Sequence, residues 1–328
     1  MHEHILYGQP GWEGDQSVAP FDRESIVGAA VETLKQLGSL GLETYVDATP
    51  NDGGRAPELY REISEKAGVH IVCATGYFNE EAGMPSYWKF RSALADVVSE
   101  MSELFVREIA VGIRDTGIKA GVIKVSSGKD RISDYERKVF QAAAVAQRET
   151  GVPILTHTEQ GTMGPDQARL LIEFGADPAR IQVGHMSDNV HRDYQLGVID
   201  QGAYAAWDRM GLQVLMGCPT DEARYPLLVD LIKSGHADQL MLSHDYVIRF
   251  PGRPFGIPKD FQPLIAGWHP SNLFQSVIPR LKREGVSDDQ IDTIIKRNPR
   301  RIFEAARAPT SGVARETRGR ENISPLSS

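Results

Sequence analysis

The sequence predicts an α/β fold, a (β/α)8 (TIM) barrel over residues 1–307. Three observations carry that prediction. Eight short apolar segments alternate with longer amphipathic patterns. The chain has 328 residues, 41% hydrophobic and 24% charged, which suits one barrel domain of ordinary globular composition. No glycine-rich phosphate turn follows the first segment, whereas the rival doubly wound sheet usually has one there.

The elements follow in order. His2 to Tyr7 is the first strand, and its alternation puts His2 and His4 on one face. A helix runs from Asp22 to about Leu37, before Gly38. Leu42 to Ala48 is β-rich and ends in the turn-rich stretch Thr49 to Gly54. Pro57 to Ala67 carries proline in the first helical turn. The run Val69 to Ala74 ends at Thr75 and Gly76, and one long helical region spans Tyr87 to Thr116. The next strand is Gly121 to Val125. Ser133 and Glu136 have capping-box spacing and open a helix to about Thr150. Strands at Val152–His157, Ile181–His185, Ala203–Trp207 and Gln239–Asp245 complete the eight. Helices at 165–175, 190–201, 221–235 and 272–284 fill the gaps. Residues 308–328 are rich in Ser, Arg, Gly and Glu and are expected to be a disordered tail.

The bulk numbers exclude several function classes. A net charge of −8 argues against nucleic acid and against an anionic membrane surface. No apolar run reaches the roughly 20 residues of a membrane helix. Candidate ligands beginning at residue 2 leave no space for a signal peptide. Cys73 and Cys218 are far apart and read as buried thiols, so a cytoplasmic location is expected.

In such a barrel, side chains at the C-terminal strand ends converge on one site. Those ends carry His2 and His4, Lys124, His157, His185 and Asp245. Any one of them has an ordinary structural explanation, but five strands contributing to one rim point to a metal centre. Lys124 lies inside an apolar strand, where burial lowers an amine's pKa. A neutral amine can capture carbon dioxide as a carbamate, whose two oxygens can bridge two metals.

These segments carry a family resemblance. His2-Glu3-His4, Val122–Val125, Thr156–Thr158, Val183–His185 and Leu242–Tyr246 resemble, in order, the ligand strands of the phosphotriesterase family of the amidohydrolase superfamily. Asn298, Pro299, Arg300, Ile302 and Phe303 resemble its terminal helix. The resemblance covers roughly residues 1–305. It implies that His2, His4 and Asp245 hold a more buried metal, that His157 and His185 hold a more exposed one, and that Lys124 bridges both as N6-carboxylysine. It also implies a bridging hydroxide, activated by two metals about 3.5–4 Å apart, with Asp245 as its proton shuttle. Zinc is the default, with cobalt, manganese or iron compatible.

Trp207 to Gly211, Ser243 to Tyr246 and Trp268 to Ser271 resemble the phosphotriesterase-like lactonases more than the phosphotriesterases proper. Arg209, Tyr77, Phe78 and Trp268 are the expected substrate-binding residues. Lactonase-like relatives often place a tyrosine second after the Thr-Gly of strand 3. Here Tyr77 comes first and Phe78 second, and a one-residue shift flips the face. The loop after strand 8, with Arg249, Phe250, Pro251, Arg253, Phe255 and Phe261, is expected to wall an apolar substrate, joined by Trp12 and Phe21. His70, His191 and His236 lie away from the rim, and His244 faces away from Asp245's side. Glu159 alone would suit a mononuclear deaminase-type acid, which has no use for Lys124. The leading expectation is hydrolysis of a lactone or related ester by a homodimeric enzyme. The alternatives are organophosphate triester hydrolysis and, in another class, a metal-holding barrel without turnover.

Overall fold

The structure is a computed structural model describing residues 1–304 other than 16, 18–20, 84 and 254–255. The expected tail at 308–328 and Phe255 lie outside the described residues. The strands are β1 (His4–Leu6), β2 (Thr44–Asp47), β3 (His70–Gly76), β4 (Val122–Ser126), β5 (Ile154–His157), β6 (Ile181–Val183), β7 (Tyr204–Trp207), β8 (Leu240–Leu242) and β9 (Val247–Arg249). The main helices between them are α1 (Arg23–Ser39), α2 (Pro57–Ala67), α3 (Pro85–Ser92), α4 (Val97–Ala110), α5 (Asp134–Thr150), α6 (Gly164–Glu173), α7 (Arg192–Ile199) and α8 (Asp221–Leu231).

β2 to β8 form one curled parallel sheet in sequence order, and β1 pairs in parallel with β9. The opening segment is hydrogen-bonded on both flanks. Glu3 N donates to Val46 O at 3.1 Å and Ala48 N to Glu3 O at 3.0 Å on the β2 side. Asp245 N donates to His2 O at 3.1 Å and His4 N to Tyr246 O at 2.8 Å on the other. Two buried carboxylates reinforce these flanks. Asp47 accepts from Ile5 N at 2.7 Å, and Glu3 accepts from His244 N and Tyr246 N at 2.9 and 2.8 Å.

The period-2 rule sorts the sheet into two faces. Val46, Ala48, Ala74, Val122 and Leu155 pack together on the concave face. Ile123, Val125, Ile154 and Val183 join the larger core between sheet and helices. Lys124 therefore shares the concave face with Val122, one layer nearer the C-terminal end. Strands approach closely there. A Cβ on Gly76 would sit 1.9 Å from Lys124 O, and one on Gly184 would sit 2.2 Å from Thr156 O, so only glycine fits either position.

The structure departs from the expected elements in four places: β9 forms in the stretch after the eighth strand that was expected to be loop, where it pairs with β1, and the other three have local causes. The 87–116 region is two helices, because Asp96 caps a new start at α4 by accepting from Val98 N and Ser99 N. The sixth and eighth strands end before His185 and Asp245. Both residues are in the left-handed region, with φ of 57° and 54°, which no strand accommodates. The capping box at Ser133 and Glu136 forms as expected. Among the described residues, no helix is long and apolar enough to cross a membrane.

Candidate metal centre

The residues at the C-terminal ends of these strands meet in one cluster. His2 Nε2 lies 2.7 Å from Lys124 Nζ and 3.5 Å from Asp245 Oδ1. His4 Nε2 lies 3.2 Å from Asp245 Oδ1. His185 Nε2 lies 2.8 Å from His157 Nδ1 and 3.7 Å from Asp245 Oδ2. Ligand atoms of His2, His185 and Asp245 all fall within 4.8 Å of one another. All six expected ligands are thus brought together.

The left-handed backbone at His185 and Asp245 turns both side chains into the cluster. Such conformations cost of order 1–3 kcal/mol each for residues other than glycine and gather at functional sites. They are offset by dense bonding. His185 N donates to Asp208 Oδ1 at 2.7 Å, and Asp245 N is bound by His2 O.

The other ring nitrogen of every histidine is engaged. His2 Nδ1 lies 2.7 Å from Asp208 Oδ2, and His185 Nδ1 lies 3.1 Å from Asp208 Oδ1. His4 Nδ1 lies 2.7 Å from Thr49 Oγ1, whose hydroxyl donates to Leu6 O. His157 Nε2 lies 3.1 Å from Glu159 Oε2. A carboxylate on the outer nitrogen takes that N–H and leaves the inner nitrogen a bare lone pair, the arrangement found around metal-bound histidines. Inward-facing imidazole nitrogens, a buried amine and a carboxylate form a donor set that fits divalent cations.

The electrostatics agree. Burial lowers the His2 imidazole to about 4, with the neighbouring Lys124 charge adding to the effect. Burial also lowers His157 and His185, the latter well below its usual value with help from Arg209. Lys124 is 1% exposed, and burial brings its amine down to about 8. Burial pulls the Asp245 carboxyl upward, but surrounding positive charge overcomes it and holds the group well below the carboxylate range. With the imidazoles neutral, the lasting source of that charge is Arg209.

A pH dependence follows for the metal-free chain. The three histidines hold folded pKa values below the unfolded 6.5, so as pH falls the unfolded chain takes up protons that the folded chain refuses. Folding stability is then lost between about pH 6.5 and 4, the range set by His2. Urea unfolding of the chelator-treated protein across that range is expected to show midpoints falling with pH. A flat profile between pH 6.5 and 4 contradicts the burial of neutral imidazoles.

The expected substrate-binding residues divide. Arg209 is buried, not at a loop surface. Its Nε donates to Asp245 Oδ2 at 3.0 Å and its Nη1 to Asp188 Oδ2 at 2.6 Å. Phe78 sets its ring edge against His157, with centroids 4.7 Å apart. Tyr77, one residue beyond the end of β3, is turned away and packs on Trp88 and Phe105 at 5.5 and 5.9 Å. Trp268 donates from Nε1 to His244 O at 2.9 Å and packs on Tyr246. Arg253 donates to Asp15 at 2.7 Å and joins the loop after β9 to the one after β1, where Trp12 and Phe21 lie 6.2 Å apart.

Sequence reasoning passed over several supports. Asp208 entered only as a member of the Trp207 to Gly211 segment, although it directly follows β7 much as His185 and Asp245 follow β6 and β8. Asp188, three residues beyond His185, joins Arg209 to the fully buried Arg224, whose Nη2 lies 3.1 Å from it. Tyr7, between His4 and Phe78 with centroids at 5.3 and 6.0 Å, gave no signal beyond its aromatic type.

The profile described as "Phosphotriesterase family" matches residues 1–303. The chain belongs to the phosphotriesterase family. It is 34% identical over 308 residues to a Mycobacterium tuberculosis phosphotriesterase homology protein, covering 93% of this chain and 92% of that one. It is 35% identical over 277 residues to an aryldialkylphosphatase of Saccharolobus solfataricus, covering 84% of each. Among solved structures, an organophosphorus hydrolase from Deinococcus radiodurans superposes with a TM-score of 0.90 at 45% identity, covering 92% of this chain and 91% of that one. A mutant of a Deinococcus radiodurans phosphotriesterase-like lactonase has the same score and identity, covering 92% and 94%. The phosphotriesterase-family chain is therefore a hydrolase acting on esters, of lactonase or phosphotriesterase type, in a family of metal-dependent hydrolases.

Proposed function

We propose that the chain is a two-metal hydrolase that opens a lactone or a related carboxylic ester. One observation carries the reading: four imidazoles, a buried amine and Asp245 face one another, while the outer nitrogen of each imidazole is held by a polar side chain, Asp208 for both His2 and His185, Thr49 for His4 and Glu159 for His157. The barrel is proposed to span 1–307, with the opening segment completing the ring between β2 and β8.

His2, His4 and Asp245 would hold one cation, and His157 and His185 the other. Lys124, as a carbamate, would reach both. Zinc is the first choice, with cobalt, manganese or iron compatible. Bound there, the pair would supply Lewis acidity and a water acidified toward neutral pH.

The chain's own residues supply the rest. Lys124, with its amine near 8, is neutral in a useful fraction at physiological pH. Its nitrogen forms a bond to the carbon of carbon dioxide and releases one proton, leaving an anionic carbamate. Asp245 is ionised and fixed at Oδ2 by Arg209, so it can take the proton of the attacking water. Opening a lactone leaves an alkoxide, and the same carboxyl returns that proton to it. Phe78 and Tyr7 present apolar ring surface beside the cluster and help exclude bulk water.

The lactone assignment is supported by Asp208 and Arg209 and by a solved structure, 45% identical with a TM-score of 0.90, described as organophosphate hydrolysis activity engineered from a weak promiscuous lactonase template. The second reading, phosphotriester hydrolysis, is favoured by the Saccharolobus relative's name. A panel of aliphatic lactones, aryl esters and paraoxon-type triesters separates them. The expected result is the highest kcat/KM on a lactone. A higher value on triesters reverses the assignment, and two bound metals without turnover on any member leaves a binding protein instead.

A further inference from the structure

One carboxylate outside the six ligands touches the cluster from its solvent side. Glu159 Oε2 lies 3.1 Å from His157 Nε2, while His157 Nδ1 faces His185 Nε2 at 2.8 Å. The two nitrogens of this imidazole therefore have separate tasks. The inner one faces the second proposed cation position, and the outer one is committed to Glu159.

The backbone under Glu159 is firmly placed. Its carbonyl accepts from Thr162 Oγ1 at 2.9 Å and from Thr162 N at 3.2 Å. Thr162 Oγ1 in turn accepts from Asp130 N at 2.9 Å. The turn continues through Gln160 and Gly161, both left-handed, with φ of 49° and 67°. A Cβ on Gly161 would lie 2.8 Å from the Asp188 carbonyl carbon, so this turn packs directly on the segment that follows His185. The Glu159 side chain is 32% exposed against 9% for His157, which places it on the boundary between the cluster and water.

We propose that Glu159 is a positioning residue for the second cation, acting through His157. It accepts the hydrogen bond that Nε2–H donates, fixes the ring plane and leaves the Nδ1 lone pair directed inward, and its charge makes that nitrogen the better electron donor to a cation. The other imidazoles are served from elsewhere: Asp208 supports His2 and His185, and Thr49 supports His4. Glu159 thus governs one cation and not the other. The proposal rests on the two-cation reading above.

Cobalt-loaded protein tests it by two readouts independent of turnover: release of each ion to a chelator and the visible absorption of bound cobalt. Glu159→Ala removes both charge and acceptor, whereas Glu159→Gln keeps an acceptor oxygen and removes the charge. In Glu159→Ala one of the two ions is expected to leave about 10–100-fold faster, with a changed cobalt spectrum. The other ion leaves at the wild-type rate, and Glu159→Gln falls between. Two ions leaving Glu159→Ala at wild-type rates overturn the proposal, as does equal acceleration of both. Wild-type protein that takes up no cobalt contradicts the two-cation reading itself, so the two failures are told apart.

Discussion

Lys124→Ala is expected to reduce bound metal below two per chain and to lower kcat/KM on the preferred ester by on the order of 100-fold or more. The magnitude follows from the role. Lewis-acid stabilisation is worth several kcal/mol, and each 1.36 kcal/mol is a factor of ten in rate. Lys124 Nζ has two neighbours within hydrogen-bond reach, His2 Nε2 at 2.7 Å and Thr156 O at 3.3 Å. Asp245 and Asp208 are near enough to act on the amine by charge, but among the described residues no carboxylate forms a direct ion pair with it, a poor arrangement for a structural lysine. Lys124 is well placed to be converted to an acid. A second readout separates this role from packing. In the metal-free chain the folded Lys124 amine sits near 8 against an unfolded 10.5. Between those values only the unfolded chain holds the proton, so this group's contribution to stability rises with pH from about 8 to 10.5, opposed above pH 9 by the thiols of Cys73 and Cys218, which burial pushes up to about 11 and about 12. The stability difference between wild type and Lys124→Ala is therefore expected to shift in favour of the wild type as pH rises from about 8 to 10.5. Elemental analysis finding two metals still bound to the variant would sink the carbamate argument.

Asp208→Asn is expected to weaken both cations together. One carboxylate serves His2 and His185, which belong to different proposed ions, and also binds the His185 backbone N–H. An amide offers one acceptor oxygen and a donor NH2. One of the two histidines must then face a donor, so its inner nitrogen takes the proton and ceases to be a ligand, while the other keeps an acceptor that has lost its charge and supports it less well, so both ions are affected. Losses of about 10–100-fold in metal affinity accompany the removal of such a support. Competition against a fluorescent chelator measures it. Wild-type affinity for both ions in Asp208→Asn would show that the carboxylate only packs the site. The contrast with Glu159→Ala, where one ion alone is affected, makes the pair of variants more telling than either.

Much of this site was legible in the sequence because it is built at strand ends. A β-run followed by a histidine or acid places that side chain at a known height in a parallel sheet, and His157 at the end of β5 is the simplest case. Lys124 was legible as an amine on the inward face of β4. The strand ends themselves were less so. At His185 and Asp245 the backbone turns left-handed, a choice made by Asp208 and by the opening segment, which are distant in sequence. The supports were hidden for a related reason: Asp208, Thr49 and Asp188 are ordinary polar residues whose meaning comes from what the fold sets beside them, and Glu159 was legible only as a possible acid, not as the partner of His157. Tyr77 and Phe78 show the limit of composition, since one position decides which ring faces His157 and which enters the core.

The central claim is that two cations sit among these six side chains. Anomalous scattering at the zinc edge, from crystals grown with zinc, tests it most directly. The account predicts two peaks of comparable occupancy, one against His2, His4 and Asp245 and one against His157 and His185, with extra density continuous with Lys124 Nζ between them. One peak alone, with Lys124 Nζ unmodified, would contradict it.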